Sequence, residues 1–218
     1  MSFNWDFVFR NLPVFLAGAE VTVELAAVSI LFALAWGLVV GLGRLARWRP
    51  LALLATGYIE LVRNTPVLVQ MYFIYFGLAF AGLPLSGFAS ALAALTLQNG
   101  GYFAEIYRAG IQSISRTQID AARGLGMRHW AVLRLVVLPQ AFFRIVPALG
   151  NQFVVMIKDT SLASTLSVAE LMLTAKIVTD RSAAAYEVFA ILAAFYLVMT
   201  SCVTLALGLY ERRFARLR

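Results

Sequence analysis

The stretch LAAVSILFALAWGLVVGLG, Leu25 to Gly43, decides the fold class. It holds one serine and no charged residue. A helix crossing a hydrocarbon core of ~30 Å needs about 20 apolar residues, and only internal backbone hydrogen bonds can satisfy its peptide groups there. Glu20 and Glu24 stand ahead of the stretch, and Arg44, Arg47 and Arg49 follow it. This is a transmembrane helix, expected over about residues 17–43.

The rest of the chain has the same character. Of 218 residues, 61% are hydrophobic and 13% charged, against roughly 25% charged in a soluble domain. Mean hydropathy is +0.82. Further spans are expected at about 66–82, 88–110, 140–157 and 183–210, which makes the chain an all-α integral membrane bundle of about five helices in a single domain, 1–218. Thr65 followed by Pro66 predicts a helix start, with threonine as N-cap and proline at the first helical position. Gln98, Asn99 and the Gly100–Gly101 pair make the middle of the third span polar. Pro139 and Pro147 predict a broken fourth span. Lys158 to Asp180 reads as an excursion out of the bilayer. Within it LSVAEL forms a short helix, Ser167 and Glu170 having capping-box spacing.

Orientation follows from the basic residues, which number 18, all arginine except Lys158 and Lys176. With the N-terminus outside and the C-terminus in the cytoplasm, the inner side holds Arg44, Arg47, Arg49, Arg63, Arg108, Arg116, Arg123, Arg128, Arg134 and Arg144, and with them the tail arginines 212, 213, 216 and 218. Only Arg10, Lys158, Lys176 and Arg181 remain outside, as the positive-inside rule requires.

Composition also excludes several functions. The formal charge of +7 is set in an apolar chain with no soluble basic domain to hold nucleic acid. Cys202 and His129 are the only residues of their kinds, which leaves no intrachain disulfide and a poor basis for a metal site. The start MSFNWDFVFR lacks a basic n-region and is not expected to be cleaved. No paired carboxylates at matched depth suggest catalysis.

Between the third and fourth spans lies the polar centre of the chain, a loop over about residues 113–130. Ser115 and Gln118 have capping-box spacing, IDAARGL suits a helix of two to three turns, and Gly124 and Gly126 end it. A second helix starts near Arg128, with Trp130, Leu133, Leu135 and Val137 on its apolar side. Ala121 and Ala122 are small enough to let another surface approach closely. On residues alone this is either a docking element or a plain surface hairpin.

The pattern Asp120-Ala121-Ala122, then Gly126, Val136 and Leu138-Pro139, resembles the EAA loop of ABC importer permeases. Asp120 stands where that family usually has Glu, and Val136 where it often has Ile. Four more segments are similar to the polar amino acid uptake branch: GYIELVRNTPVLVQMYFIYFGL (Gly57–Leu78), YFAEIYRAGIQSISRTQ (Tyr102–Gln118), LPQAFFRIVPALGNQF (Leu138–Phe153) and KDTSLAS (Lys158–Ser164).

The resemblance implies that the loop is a coupling helix seated in a groove of a cytoplasmic ATPase, through Asp120, Ala121, Ala122, Arg123, Gly126 and Arg128. It implies two ATPase subunits, a second permease identical or paralogous to this one, and a periplasmic substrate-binding protein, all in a bacterial inner membrane. No G-x-x-x-x-G-K-[ST] motif is present, so ATP and Mg are expected on the partner ATPase and no cofactor on this chain.

Polar groups at membrane depth mark the candidate substrate path: Gln98, Asn99, Asn151 and Gln152, with Lys158, Asp159, Thr160 and Ser161 at the outer end of the fourth span. Together they could bind the α-carboxylate and α-ammonium of an amino acid. Equally, the amides could bridge helices, Lys158 could snorkel, and Asp159 could cap a helix. Glu60 with Arg63, and Glu105 with Arg108, read as structural i, i+3 pairs. The competing function class is an ATP-independent secondary transporter or channel for a small polar solute. Such proteins commonly carry internal repeats, and none is visible here.

Overall fold

The computed structural model describes residues 3–214, with side chains through Arg213. The tail positions Arg216 and Arg218 lie outside the described residues. Among the described residues the chain is helical throughout, without strands.

The first helix, α1 (Trp5–Arg44), is 40 residues long. It begins well before residue 17 because Asn4 caps it, its side chain accepting the Phe7 N–H at 3.0 Å. Then follow α2 (Arg49–Arg63), α3 (Val67–Phe80), α4 (Gly87–Gln112) and the short α5 (Arg116–Gly124). Next, α6 (His129–Val132), a π-helical stretch (Leu133–Val137) and α7 (Leu138–Asp159) run on without interruption into a 3₁₀ segment (Thr160–Leu166). Last come α8 (Leu171–Ser182) and α9 (Ala185–Phe214).

Among the described residues, three helices are long and apolar enough to cross a membrane: Trp5–Arg44, His129–Leu166 and Ala185–Arg213. By contrast, α3 is apolar but only 14 residues long. At 26 residues α4 has the length, and Gln98, Asn99, Glu105 and Arg108 lower its hydropathy.

Three local expectations are corrected. First, Thr65 does not cap α3. The helix starts at Val67 with Pro66 as its extended N-cap residue, and the Thr65 hydroxyl donates backward to Leu61 O at 2.9 Å. Second, Pro139 and Pro147 do not break the fourth span. A proline removes one backbone donor and crowds the carbonyl four residues earlier. Here the π-helical turn widens the backbone just ahead of Pro139, the Leu138 N–H reaching back five residues to Leu133 O. Third, LSVAEL is not a helix. Ser167 takes a left-handed conformation (φ 60°) that ends the 3₁₀ segment, and Glu170 itself caps α8.

Small residues set the packing. In a bilayer, helices gain nothing from hiding apolar surface against each other, so close van der Waals approach has to hold them. α1 and α4 meet at Gly37: a Cβ there would come within 2.7 Å of the Phe103 Cβ and 2.9 Å of Gly100 O. Around this contact lies a core of Ala33, Phe103 and Met156 from α1, α4 and α7. A second core joins Leu25, Met71, Leu95 and Leu166, and a third joins Phe15, Leu171 and Val188.

Gly37→Leu should therefore lower stability by roughly 1–3 kcal/mol or more through overpacking, read as a fall in the thermal midpoint of the detergent-solubilised protein. Gly57→Ala is the control, since a Cβ there meets nothing within 4 Å, and its midpoint should not fall.

Candidate functional site: an exposed loop helix and a polar interior

The central loop carries its own core. Ile114, Ala122, Val132 and Val137 are buried together, with Ile119, Met127 and Val136 packed around them. This cluster pins α5 against α6 and the π-helical stretch. Ser115 is the N-cap residue, as its position predicts, but its side chain makes no capping hydrogen bond. At the other end the turn closes through Gly126, whose φ of +80° is natural only to glycine. The Gly126 N–H donates to Arg123 O at 2.9 Å, and the Met127 N–H to Ala122 O at 3.2 Å.

The loop residues singled out in the sequence then divide. Asp120, Ala121, Arg123, Gly126 and Arg128 are exposed, and Asp120 and Arg123 form a loose pair at 3.9 Å. Ala122 is 6% exposed and faces inward. Its small side chain serves the loop's own core and offers no surface to a partner. Leu125, which sequence reasoning passed over, is 84% exposed at the end of α5. Its signal was available: an aliphatic residue between two glycines has no helix of its own to pack under.

The polar interior is more tightly organised than residue types suggest. On α4, Gln98 and Asn99 are buried, 7% and 1% exposed. Gln98 Nε2 donates to Thr65 O at 3.1 Å, across the break between α2 and α3. Asn99 Nδ2 donates to Leu95 O at 2.8 Å, and its Oδ1 accepts from Gln152 Nε2 on α7, also at 2.8 Å. Asn99 and Gln152 are thus brought together, Gln98 turns instead to the α2–α3 break, and Asn151 is exposed.

The outer group is split as well. Lys158 is exposed and Asp159 half-buried. Thr160 is fully buried, its hydroxyl donating to Ile157 O at 2.7 Å, while the Ser161 hydroxyl donates to Lys158 O at 2.7 Å.

Next to them is an unforeseen centre. Glu170 is fully buried. Its carboxylate accepts the Met172 and Leu173 N–H groups at 2.9 and 2.8 Å, and the Tyr196 hydroxyl of α9 at 3.2 Å. Tyr196 also interacts with Thr160 and Ser161. One acid thus ties the N-terminus of α8 to α9 and to the 3₁₀ segment. Burial raises its pKa, while those hydrogen bonds and nearby Lys176 partly offset the rise. The sequence hint was a single acid in an apolar run, read as part of a capping box with Ser167.

Long apolar helices joined by a compact polar loop, with an amide pair linking α4 to α7 in the interior, are the build of a helical membrane protein. The family model described as binding-protein-dependent transport system inner membrane component matches residues 33–216, and the chain belongs to that family. It is a transport subunit rather than an enzyme, ATP hydrolysis in such systems residing on a separate ATPase subunit. Among curated relatives, the chain is 33% identical to the "Probable glutamine ABC transporter permease protein GlnM" of Bacillus subtilis (strain 168), over 98% of this chain and 99% of the relative. It is 34% identical to the glutamate/aspartate import permease protein GltK of Escherichia coli O6:H1, over 98% and 99%. Among solved structures, it is similar to the crystal structure of an amino acid ABC transporter with histidines, with a TM-score of 0.93 and 37% identity, covering 98% of this chain and 100% of that one.

Glu170 yields a pH test. Its folded pKa lies above the ordinary value of 4.5, so the folded protein holds this proton where the unfolded chain has released it. Its contribution to stability is therefore present at acid pH and declines as pH rises through that window. Glu170→Gln should remove this component. Thermal midpoints across an acid-to-neutral series should fall less steeply with rising pH in the variant than in the parent. Equal slopes would contradict the assignment.

Proposed function

We propose that this chain is the permease subunit of an ATP-driven importer that takes up a polar amino acid delivered by a periplasmic binding protein. The observation that carries the reading is full-length similarity to permeases named for glutamine and for glutamate/aspartate. The likeness to a solved amino acid transporter supports it.

The proposed topology has five spans in a bacterial inner membrane, with the N-terminus outside and the C-terminus in the cytoplasm. α1, α7 and α9 supply three, and α4 a fourth. The fifth is α3 extended by the end of α2 across the Pro66 bend, since 14 residues alone rise about 21 Å. The single domain 1–218 then puts α5 on the cytoplasmic side and α8 on the outer side. The arginine distribution supports this orientation.

In this reading α5 is the coupling helix. Asp120, Ala121, Arg123, Gly126 and Arg128, now with Leu125, form the surface that enters the groove of an ATPase subunit carrying ATP and Mg. Ala122 supports that surface from beneath. Two ATPase subunits and a second permease, identical or paralogous, complete the assembly.

Asn151, Gln152, Lys158, Asp159 and Ser161 present polar groups to the proposed path between the two permeases, and buried Gln98, Asn99 and Thr160 hold that wall from behind. A path wall needs polar groups held in fixed orientation, and the Asn99–Gln152 hydrogen bond provides one. The free face of such a wall can meet the charged ends of a zwitterion.

The docking surface is tested by Leu125→Glu in the chain co-expressed with the ATPase encoded beside it. Introducing a charge into the centre of a desolvated contact should reduce ATPase co-purification roughly tenfold or more, with membrane insertion unchanged. Undiminished co-purification would overturn the assignment of α5.

A further inference from the structure

At the α2 end of α1 three arginines converge on one carboxylate. Arg44, the last residue of α1, and Arg108 of α4 both pair with Glu105, Arg108 at 2.7 Å and Arg44 in direct contact. Arg63, the last residue of α2, stands 3.9 Å from the same carboxylate, with its guanidinium 5.2 Å from the centroid of the Tyr102 ring. The charges do not balance: three cations meet one anion, a surplus of two.

Hydrogen-bonding capacity is unbalanced too. Each guanidinium offers five N–H donors, and a carboxylate accepts about four hydrogen bonds. Arg108 directs one nitrogen to Gln112 instead. Arg63 Nε is buried with no partner at all. A surplus of half-buried guanidinium charge is costly without a counter-ion.

What surrounds the cluster points to the counter-ion. Arg47 and Arg49 lie exposed just beyond Arg44, with Trp48 between them, itself 66% exposed. Leu42 and Leu45 flank Arg44, and Leu53 and Leu54 project from the first turns of α2, all exposed. Basic groups, a tryptophan and exposed aliphatic residues therefore follow one another along the chain through the α1–α2 turn that carries Arg44. Guanidinium forks match phosphate oxygens, tryptophan favours the headgroup level, and the leucines match acyl chains.

We propose that Arg44, Arg63 and Arg108, with Arg47 and Arg49 at the rim, form a binding site for the phosphate headgroup of an anionic phospholipid in the cytoplasmic leaflet. The site rests on the orientation under "Proposed function". An acidic protein segment or a free phosphate ion would satisfy the arginines but would leave the leucines and Trp48 uncovered.

The test uses the full chain with its ATPase partner in nanodiscs of phosphatidylcholine mixed with phosphatidylglycerol, followed by native mass spectrometry of retained lipid. The parent should retain phosphatidylglycerol over phosphatidylcholine. Arg63→Gln should cut that preference about fivefold, the value of one arginine at an anionic surface. If that variant does not fold, Arg47→Gln with Arg49→Gln, both on exposed positions, should lower it instead. Glu105→Gln removes the competing anion and should leave retention equal to or above the parent, whereas a closed structural ion-pair network would only loosen.

Equal retention of the two lipids by the parent would overturn the proposal. So would inorganic phosphate protecting the protein against heat without phosphatidylglycerol enrichment, or ATPase loss in the rim variants with lipid retention intact. The orientation is read separately, by labelling Arg47→Cys in a Cys202→Ser background with an impermeant maleimide on spheroplasts. Labelling from outside would refute the topology, while protection with no lipid preference would refute the lipid site alone.

Discussion

A bilayer gives an unpaired polar group nothing to bond with, and this constraint shapes the structure at each place where a helix departs from regularity. The bend between α2 and α3 is the clearest case. Pro66 has no N–H, so carbonyls at the end of α2 lose their helical partners. The side chains nearby supply replacements: the Thr65 hydroxyl for Leu61 O, Gln70 Nε2 for Val62 O and Thr65 O, and Gln98 Nε2 again for Thr65 O. Ahead of Pro139 the backbone adapts by a wider turn. At the start of α8, where free N–H groups point inward, Glu170 accepts two of them.

The interior amides hold the helices in place. Gln98 fixes the bend, and Asn99 with Gln152 fixes α4 against α7. A transporter that rocks between inward and outward states needs rigid bodies and defined seams. The Gly37 contact packs α1 closely against α4, and the core under α5 makes the loop compact. A hinge inside α5 would absorb any push delivered there. The burial of Ala122 and the left-handed Gly126 leave little room for one.

The long helices were legible because nineteen uncharged residues in a row have one physical solution. The loop helix was legible from its glycines and from Ser115 as its N-cap residue, although the serine side chain makes no capping bond. What the sequence hid was direction. Ala121 and Ala122 look alike in a string, and only the packing of Ile114, Val132 and Val137 separates the exposed one from the buried one. Leu125 was overlooked because an aliphatic residue usually signals core. Glu170 was misread because its cap belongs to the helix after it, with the Tyr196 hydroxyl arriving from 26 residues away. Pro139 follows a widened turn while Pro147 sits inside continuous α-helix, so a proline alone does not tell a break from a helix that accommodates it.

The central claim is that this chain moves its cargo only when a separate ATPase acts on it. The direct measurement is uptake of radiolabelled glutamine and glutamate into proteoliposomes holding the chain with its ATPase, supplied with the cognate binding protein. The account predicts accumulation of at least one of them that requires all three proteins and stops when ATP is withheld. Uptake by the chain alone, unchanged by removing ATP, would contradict it.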